Sequence, residues 1–142
     1  TEISKVLRIN LESAIVITKY ACRSMLTQSE GRIVNISSII ASTGFNGLSV
    51  YAASKAGLEG FMRSLSRELG RSKITVNCVA PGYMETDMTA GMEDKKIDSI
   101  RRRSPLGLAH VKDVAGAVSY LLSKDAERIT GTVITVDGGS TA

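Results

Sequence analysis

Apolar positions in the first 28 residues recur at helical spacing. Leu7, Leu11, Ile15, Cys22 and Met25, with Ala14 and Thr18 between them, predict one long amphipathic helix from Val6 to about Gln28. The stretch RIVNIS, Arg32 to Ser37, is short and rich in β-branched residues, the pattern of a buried strand. Val50 to Gly70 returns to the helical repeat, and its small stripe of Ala53, Ala56, Gly57 and Gly60 permits close packing against another backbone. ITVNCV, Ile74 to Val79, predicts a second buried strand, and Val111 to Ser123 a third helix. TVITV, Thr132 to Val136, predicts a third strand that ends at Asp137, Gly138 and Gly139. Short buried strands alternating with amphipathic helices pair in parallel through right-handed crossovers, so the expected fold is a layered α/β domain.

Composition narrows the function classes. The chain has 142 residues, 43% hydrophobic and 23% charged, an ordinary globular balance and about one domain in length. No apolar run approaches the roughly 20 residues of a membrane helix. The polar start TEISKVLR lacks the apolar centre of a secretory signal, and the expected compartment is the cytoplasm. Cys22 and Cys78 have no CxxC or histidine companions and His110 has no neighbouring ligand, a pattern that suggests neither a metal site nor a disulfide framework. The net charge of +4 is concentrated only at Arg101 to Arg103, and aromatics are 4% of residues, which argues against nucleic acid. The basic balance reads as a solvated surface, or as a face for an acidic partner or phosphates.

The candidate chemistry lies between Ser38 and Lys55. Tyr51 and Lys55 are one helical turn apart and share a face. A phenol ordinarily ionises near pH ~10, and an adjacent ammonium favours the phenolate, so the pair suits proton exchange with a substrate. Ser38 stands at the carboxyl end of a strand, where open α/β sheets bind ligands. The loop between, with Gly44, Asn46 and Gly47, can fold Ser38 back towards Tyr51. Pro81 and Gly82 follow the second strand as a turn that lets a flat ligand approach the main chain. The polar, Met-rich segment Met84 to Arg103 reads equally as a lid or as a connecting loop.

Taken together, Asn10, GRIVNISS at 31–38, YAASKAG at 51–57, ITVNCVAPGYMETDMT at 74–89, SPLG at 104–107 and ITGTVITVDGG at 129–139 resemble the short-chain dehydrogenase/reductase family, along nearly the whole chain. The likeness is greatest to bacterial members that reduce 3-oxoacyl groups on acyl carrier protein. The resemblance implies that Tyr51 donates a proton to the substrate carbonyl and that Ser38 orients the same oxygen. Lys55 would act on Tyr51 and hold the nicotinamide ribose, and Asn10 would anchor a proton-relaying water. Pro81, Gly82, Met84 and Thr86 would lie against the nicotinamide, with NADP(H) expected ahead of NAD(H). Residues 87–104 would form the substrate lid within a single domain spanning 1–142. Acyl carrier protein or an acyl thioester is the implied partner, with Arg32, Arg71 and Lys73 as basic docking candidates. A homotetramer through the two long helices and the last helix and strand is also implied.

The family's Gly-rich TGxxxGxG turn and NNAG segment do not occur in these residues. The expectation is therefore a C-terminal portion of a doubly wound, Rossmann-type parallel sheet, with the N-terminal dinucleotide-binding half absent from the chain, and with the isolated chain inactive. Three functions remain open at this point. The first is NADPH-dependent reduction of a 3-oxoacyl thioester to the 3-hydroxyacyl form in fatty acid biosynthesis. The others are dehydrogenation of a small alcohol, sugar or polyol, and a catalytically silent oligomerising module.

Overall fold

The structure, a computed structural model, describes residues 1–86, 89 and 94–142. The first helix begins earlier than the apolar repeat predicts. The Thr1 hydroxyl accepts from the Ser4 N–H at 3.2 Å, and Glu2 in the first turn suits the positive helix end, so α1 forms over Glu2–Leu7. A single π turn, Arg8–Glu12, follows, and α2 continues over Ser13–Gln28. The chain leaves α2 through Ser29 in the left-handed region at φ 52°, with its N–H on the Leu26 carbonyl.

Strand β1 (Gly31–Ile36), the short helix α3 (Ile40–Thr43) and the long helix α4 (Ser49–Leu69) come next. Strand β2 spans Ile74–Pro81, helix α5 Asp94–Arg103, helix α6 Val111–Leu122, and strand β3 Val133–Val136. Helix α3 is too short to show a period in the sequence. Of the expected lid 87–104, residues 87, 88 and 90–93 lie outside the described residues; 94–103 form α5.

The strands run parallel in the order β1-β2-β3, with Gly31 opposite Ile74, Ile36 opposite Val79 and Pro81 opposite Val136. Strand β2 is central because every one of its eight residues is buried, and its alternation feeds both faces. On one face Ile74, Val76 and Cys78 meet Cys22 of α2 with Met62 and Leu69 of α4. On the other, Val79 packs with Val114 and Leu121 of α6 and with Ala126. The result is a helix–sheet–helix sandwich, each fully buried aliphatic side chain stabilising it by about 1.5–3 kcal/mol. His110 serves the fold: its N–H donates to Asp113 Oδ2 at 2.8 Å, half of a capping box that starts α6. Among the described residues, no helix is long and apolar enough to cross a membrane.

Candidate active site

The carboxyl ends of β1 and β2 are knitted past the end of the ladder. Ser37 N–H donates to the Val79 carbonyl at 2.7 Å, and Ile39 N–H to the Pro81 carbonyl at 3.1 Å. The backbone on both sides of Ser38 is thereby pinned to β2. The Ser38 hydroxyl, half-buried, accepts from the Ile40 N–H at 3.2 Å and starts α3. Gly44 and Gly47, at φ 65° and 82°, then turn the chain back into α4. The loop does bring Ser38 and α4 into one neighbourhood, but no hydrogen bond joins Ser38 to Tyr51 among the described residues.

Tyr51 lies in the first turn of α4, half-buried. Lys55 Nζ sits 5.7 Å from the centre of its ring and donates to the Ile36 carbonyl at 2.8 Å. One ammonium therefore bridges the phenol to the end of β1, two residues before Ser38. Burial lowers the Lys55 pKa below the ordinary lysine range, and the nearby Cys78 thiol acts in the opposite direction. Asn10 stands in the π turn and its Nδ2 donates to Ser54 Oγ at 3.2 Å; Ser54 Oγ in turn donates to the Tyr51 carbonyl at 2.7 Å. Asn10 thus reaches the Tyr51 segment through Ser54, a residue that sequence pattern alone does not single out. π turns recur at functional positions, and this one carries the expected Asn.

Pro81 ends β2, buried. Gly82 N–H donates to the Val136 carbonyl at 2.8 Å, so this turn is held by β3. A Cβ on Gly82 would stand 2.6 Å from Asp137 Cβ and 2.8 Å from Asp137 Cα, and only glycine fits there. The Asp137 carboxylate accepts from Gly139 N–H at 2.9 Å, Ser140 Oγ at 2.9 Å, Thr141 N–H at 2.9 Å and Thr141 Oγ1 at 2.7 Å. Burial raises its pKa, but the hydrogen bonds from Thr141, Gly139 and Ser140 outweigh that and hold it below the usual carboxylate value. Met84 packs against the α6 side of the core. Thr86 is half-buried, and the Thr89 hydroxyl organises the turn: it donates to the Met84 carbonyl at 2.7 Å and accepts from the Thr86 N–H at 2.9 Å.

The basic docking candidates differ among themselves. Arg71 and Lys73 are exposed beyond the end of α4, whereas Arg32 is half-buried with its guanidinium on the Gly31 carbonyl at 3.0 Å. Sequence pattern also misses Glu59, Arg63 and Ser37, a hydrogen-bonded group beneath Lys55. The only signal was spacing, since 51, 55, 59 and 63 recur every four residues on α4.

A family model described as enoyl-(acyl carrier protein) reductase matches residues 1–141. The chain is 44% identical over 135 residues to the 3-oxoacyl-[acyl-carrier-protein] reductase of Haemophilus influenzae, covering 94% of this chain and 56% of that protein. It is 41% identical over 139 residues to the protein of the same name in Escherichia coli, covering 97% and 57%. Among solved structures, a gluconate 5-dehydrogenase from Burkholderia cenocepacia in complex with NADP and tartrate superposes with TM-score 0.95 at 26% identity, covering 99% of this chain and 56% of that one. A 3-oxoacyl-[acyl-carrier protein] reductase from Brucella melitensis gives TM-score 0.92 at 31% identity, covering 97% and 52%.

The chain spans just over half the length of the curated relatives it matches. One expectation is corrected. The three parallel strands themselves form a sheet of Rossmann type, and the matched stretch does not support placing the chain as a C-terminal portion with its N-terminal dinucleotide half absent. The family itself follows from the match over residues 1–141 together with these relatives: the chain belongs to the short-chain dehydrogenase/reductases.

Proposed function

We propose that the protein is an NADPH-dependent reductase that converts a 3-oxoacyl thioester, presented on acyl carrier protein, to the 3-hydroxyacyl form. The observation that carries this reading is the Lys55 bridge, which ties Tyr51 to the strand end that bears Ser38. The 44% identity to a 3-oxoacyl-[acyl-carrier-protein] reductase supports the substrate class. The chain's own groups suit a nicotinamide at this place: a half-buried ammonium and the Gly82 turn both lie at the carboxyl ends of parallel strands, where such folds bind nucleotides. Lys55 would hold the ribose, with Pro81, Gly82, Met84 and Thr86 along the nicotinamide. When bound, NADPH supplies a hydride to the carbonyl carbon.

Tyr51 gives its hydroxyl proton to the carbonyl oxygen as that oxygen gains charge, and Ser38 donates a hydrogen bond to the same atom while still accepting from the Ile40 N–H. Lys55 favours the phenolate left on Tyr51. Asn10, through Ser54, steadies the backbone of the Tyr51 turn, and in this reading it would also anchor the proton-relaying water. A second reading, oxidation of a small hydroxy acid or polyol, is favoured by the TM-score of 0.95 to a gluconate 5-dehydrogenase. A substrate panel separates the two.

In the full-length protein, Tyr51→Phe is expected to lower kcat on the order of 10²–10⁴-fold while NADPH still binds with wild-type affinity, because only the proton donor is lost. Steady-state kinetics beside a fluorescence titration of the cofactor measure both. Turnover retained in Tyr51→Phe would sink the assignment, and preferred turnover of polyols over acyl thioesters would move it to the second reading.

A further inference from the structure

Beneath the candidate active site lies a buried polar cluster that touches neither substrate nor cofactor in the reading above. Tyr51, Lys55, Glu59 and Arg63 recur every four residues, so one stripe of α4 carries phenol, ammonium, carboxylate and guanidinium in turn. Glu59 is only 7% exposed and Ser37 only 3%. Ser37 Oγ donates to Glu59 Oε1 at 2.7 Å, and Arg63 Nη2 donates to Glu59 Oε2 at 3.0 Å. Both oxygens of a buried carboxylate are thereby satisfied, and the guanidinium keeps more than half of its side chain in water. Cys78, fully buried on β2, lies among the same groups. Burial and then the Glu59 carboxylate push its thiol up to about 12, against the pull of Arg63 and Lys55.

Ser37 occupies the corner between the two parts of the site. The carbonyl before it, Ile36, accepts from Lys55, and the residue after it is Ser38. Its N–H is committed to β2 and its side chain to α4. Desolvating a carboxylate against a half-exposed guanidinium adds little stability over apolar packing, so a buried carboxylate here is explained better by the orientation it imposes than by stability. We infer that Glu59 is a positioning residue: through Ser37 it fixes the end of β1, and with it the Lys55 ammonium and the Ser38 hydroxyl relative to Tyr51. This rests on the functional reading of those three residues.

The test is a double-mutant cycle in the full-length protein, with enzyme concentration corrected by cofactor titration. Glu59→Leu strands the Ser37 hydroxyl, and Ser37→Ala strands one carboxylate oxygen. Each is expected to lower kcat on the order of tenfold with a rise in the KM for NADPH smaller than that of Lys55→Met, since displacements of about 1 Å cost that much or more in rate while the ammonium itself is kept. The double variant should lose no more than the worse single, because both act through one contact. Glu59→Gln, able to pair with both Ser37 and Arg63, should stay within about threefold of wild type. Losses that multiply in the double variant, or a wild-type kcat in a folded single, overturn the inference. Where Glu59→Leu does not fold, Ser37→Ala alone decides by the same criterion. Turnover retained in Tyr51→Phe would instead remove the functional reading. Amide exchange at Ile36 to Ile39 then decides without activity: faster in Ser37→Ala than in wild type supports the pin, and unchanged exchange refutes it.

Discussion

Lys55 is asked to be charged and to be half-buried, and these requirements oppose each other. Its pKa is lowered by burial, so the unfolded chain holds the proton more firmly than the folded one. The resulting cost is present below the folded pKa and is relieved as pH rises from there towards the unfolded value of about 10.4. Wild-type stability should therefore gain on that of Lys55→Met as pH is raised from neutral towards about 10, read from urea midpoints of the two proteins at each pH. A constant difference across that range would show that burial does not tax this amine. The same substitution should lower both NADPH affinity and turnover, because one ammonium is assigned to ribose and phenol together. Tyr51 and Lys55 were legible in the sequence because helical spacing alone puts them on one face. The Ser38 hydroxyl was placed correctly at the strand end, but its bond to Ile40 N–H depends on α3, four residues that show no period.

At the scale of elements, three segments converge on the site: the end of β1, the first turns of α4 and the turn after β2. The β2 turn depends on Gly82. Alanine there would drive a methyl into the Asp137 backbone, which cannot rotate aside as a side chain would, so Gly82→Ala should destabilise by about 1–3 kcal/mol. Thermal unfolding monitored by circular dichroism checks this, and an unchanged Tm would contradict the close approach of β2 and β3. The π turn at Arg8–Glu12 was not legible, since one extra residue in a turn leaves the apolar spacing on either side intact. Glu59 was invisible for a different reason. A charged residue in mid-helix reads as a solvated position until the strand it faces is known.

For the whole molecule, the alternation of helices and strands was readable because β-branched runs such as Ile74 to Val79 are short and buried on both faces, while the helices keep a polar side. Placement within the longer family fold was not, because motif absence says less than alignment does. The helical layer also leaves apolar side chains in water: Ile9, Ile17 and Tyr20 of the first helical region are 60%, 68% and 59% exposed. Such a patch favours association between copies. We propose that it does so as a homotetramer, and light scattering on the full-length protein should return four times the subunit mass; a monomer would reject the proposal.

The two cores share a single beam. Because β2 is buried along its whole length and supplies apolar residues to both layers, neither layer can open without disturbing the other, and the crossover through α4 must close before β2 can find β1. The residues proposed as catalytic stand beside the end of that central strand, whereas the Thr86 turn is held by the Thr89 hydroxyl and N–H and by the Arg101–Glu85 ion pair. The strand ends of the site are therefore anchored by both cores at once, and the Thr86 turn by contacts of its own.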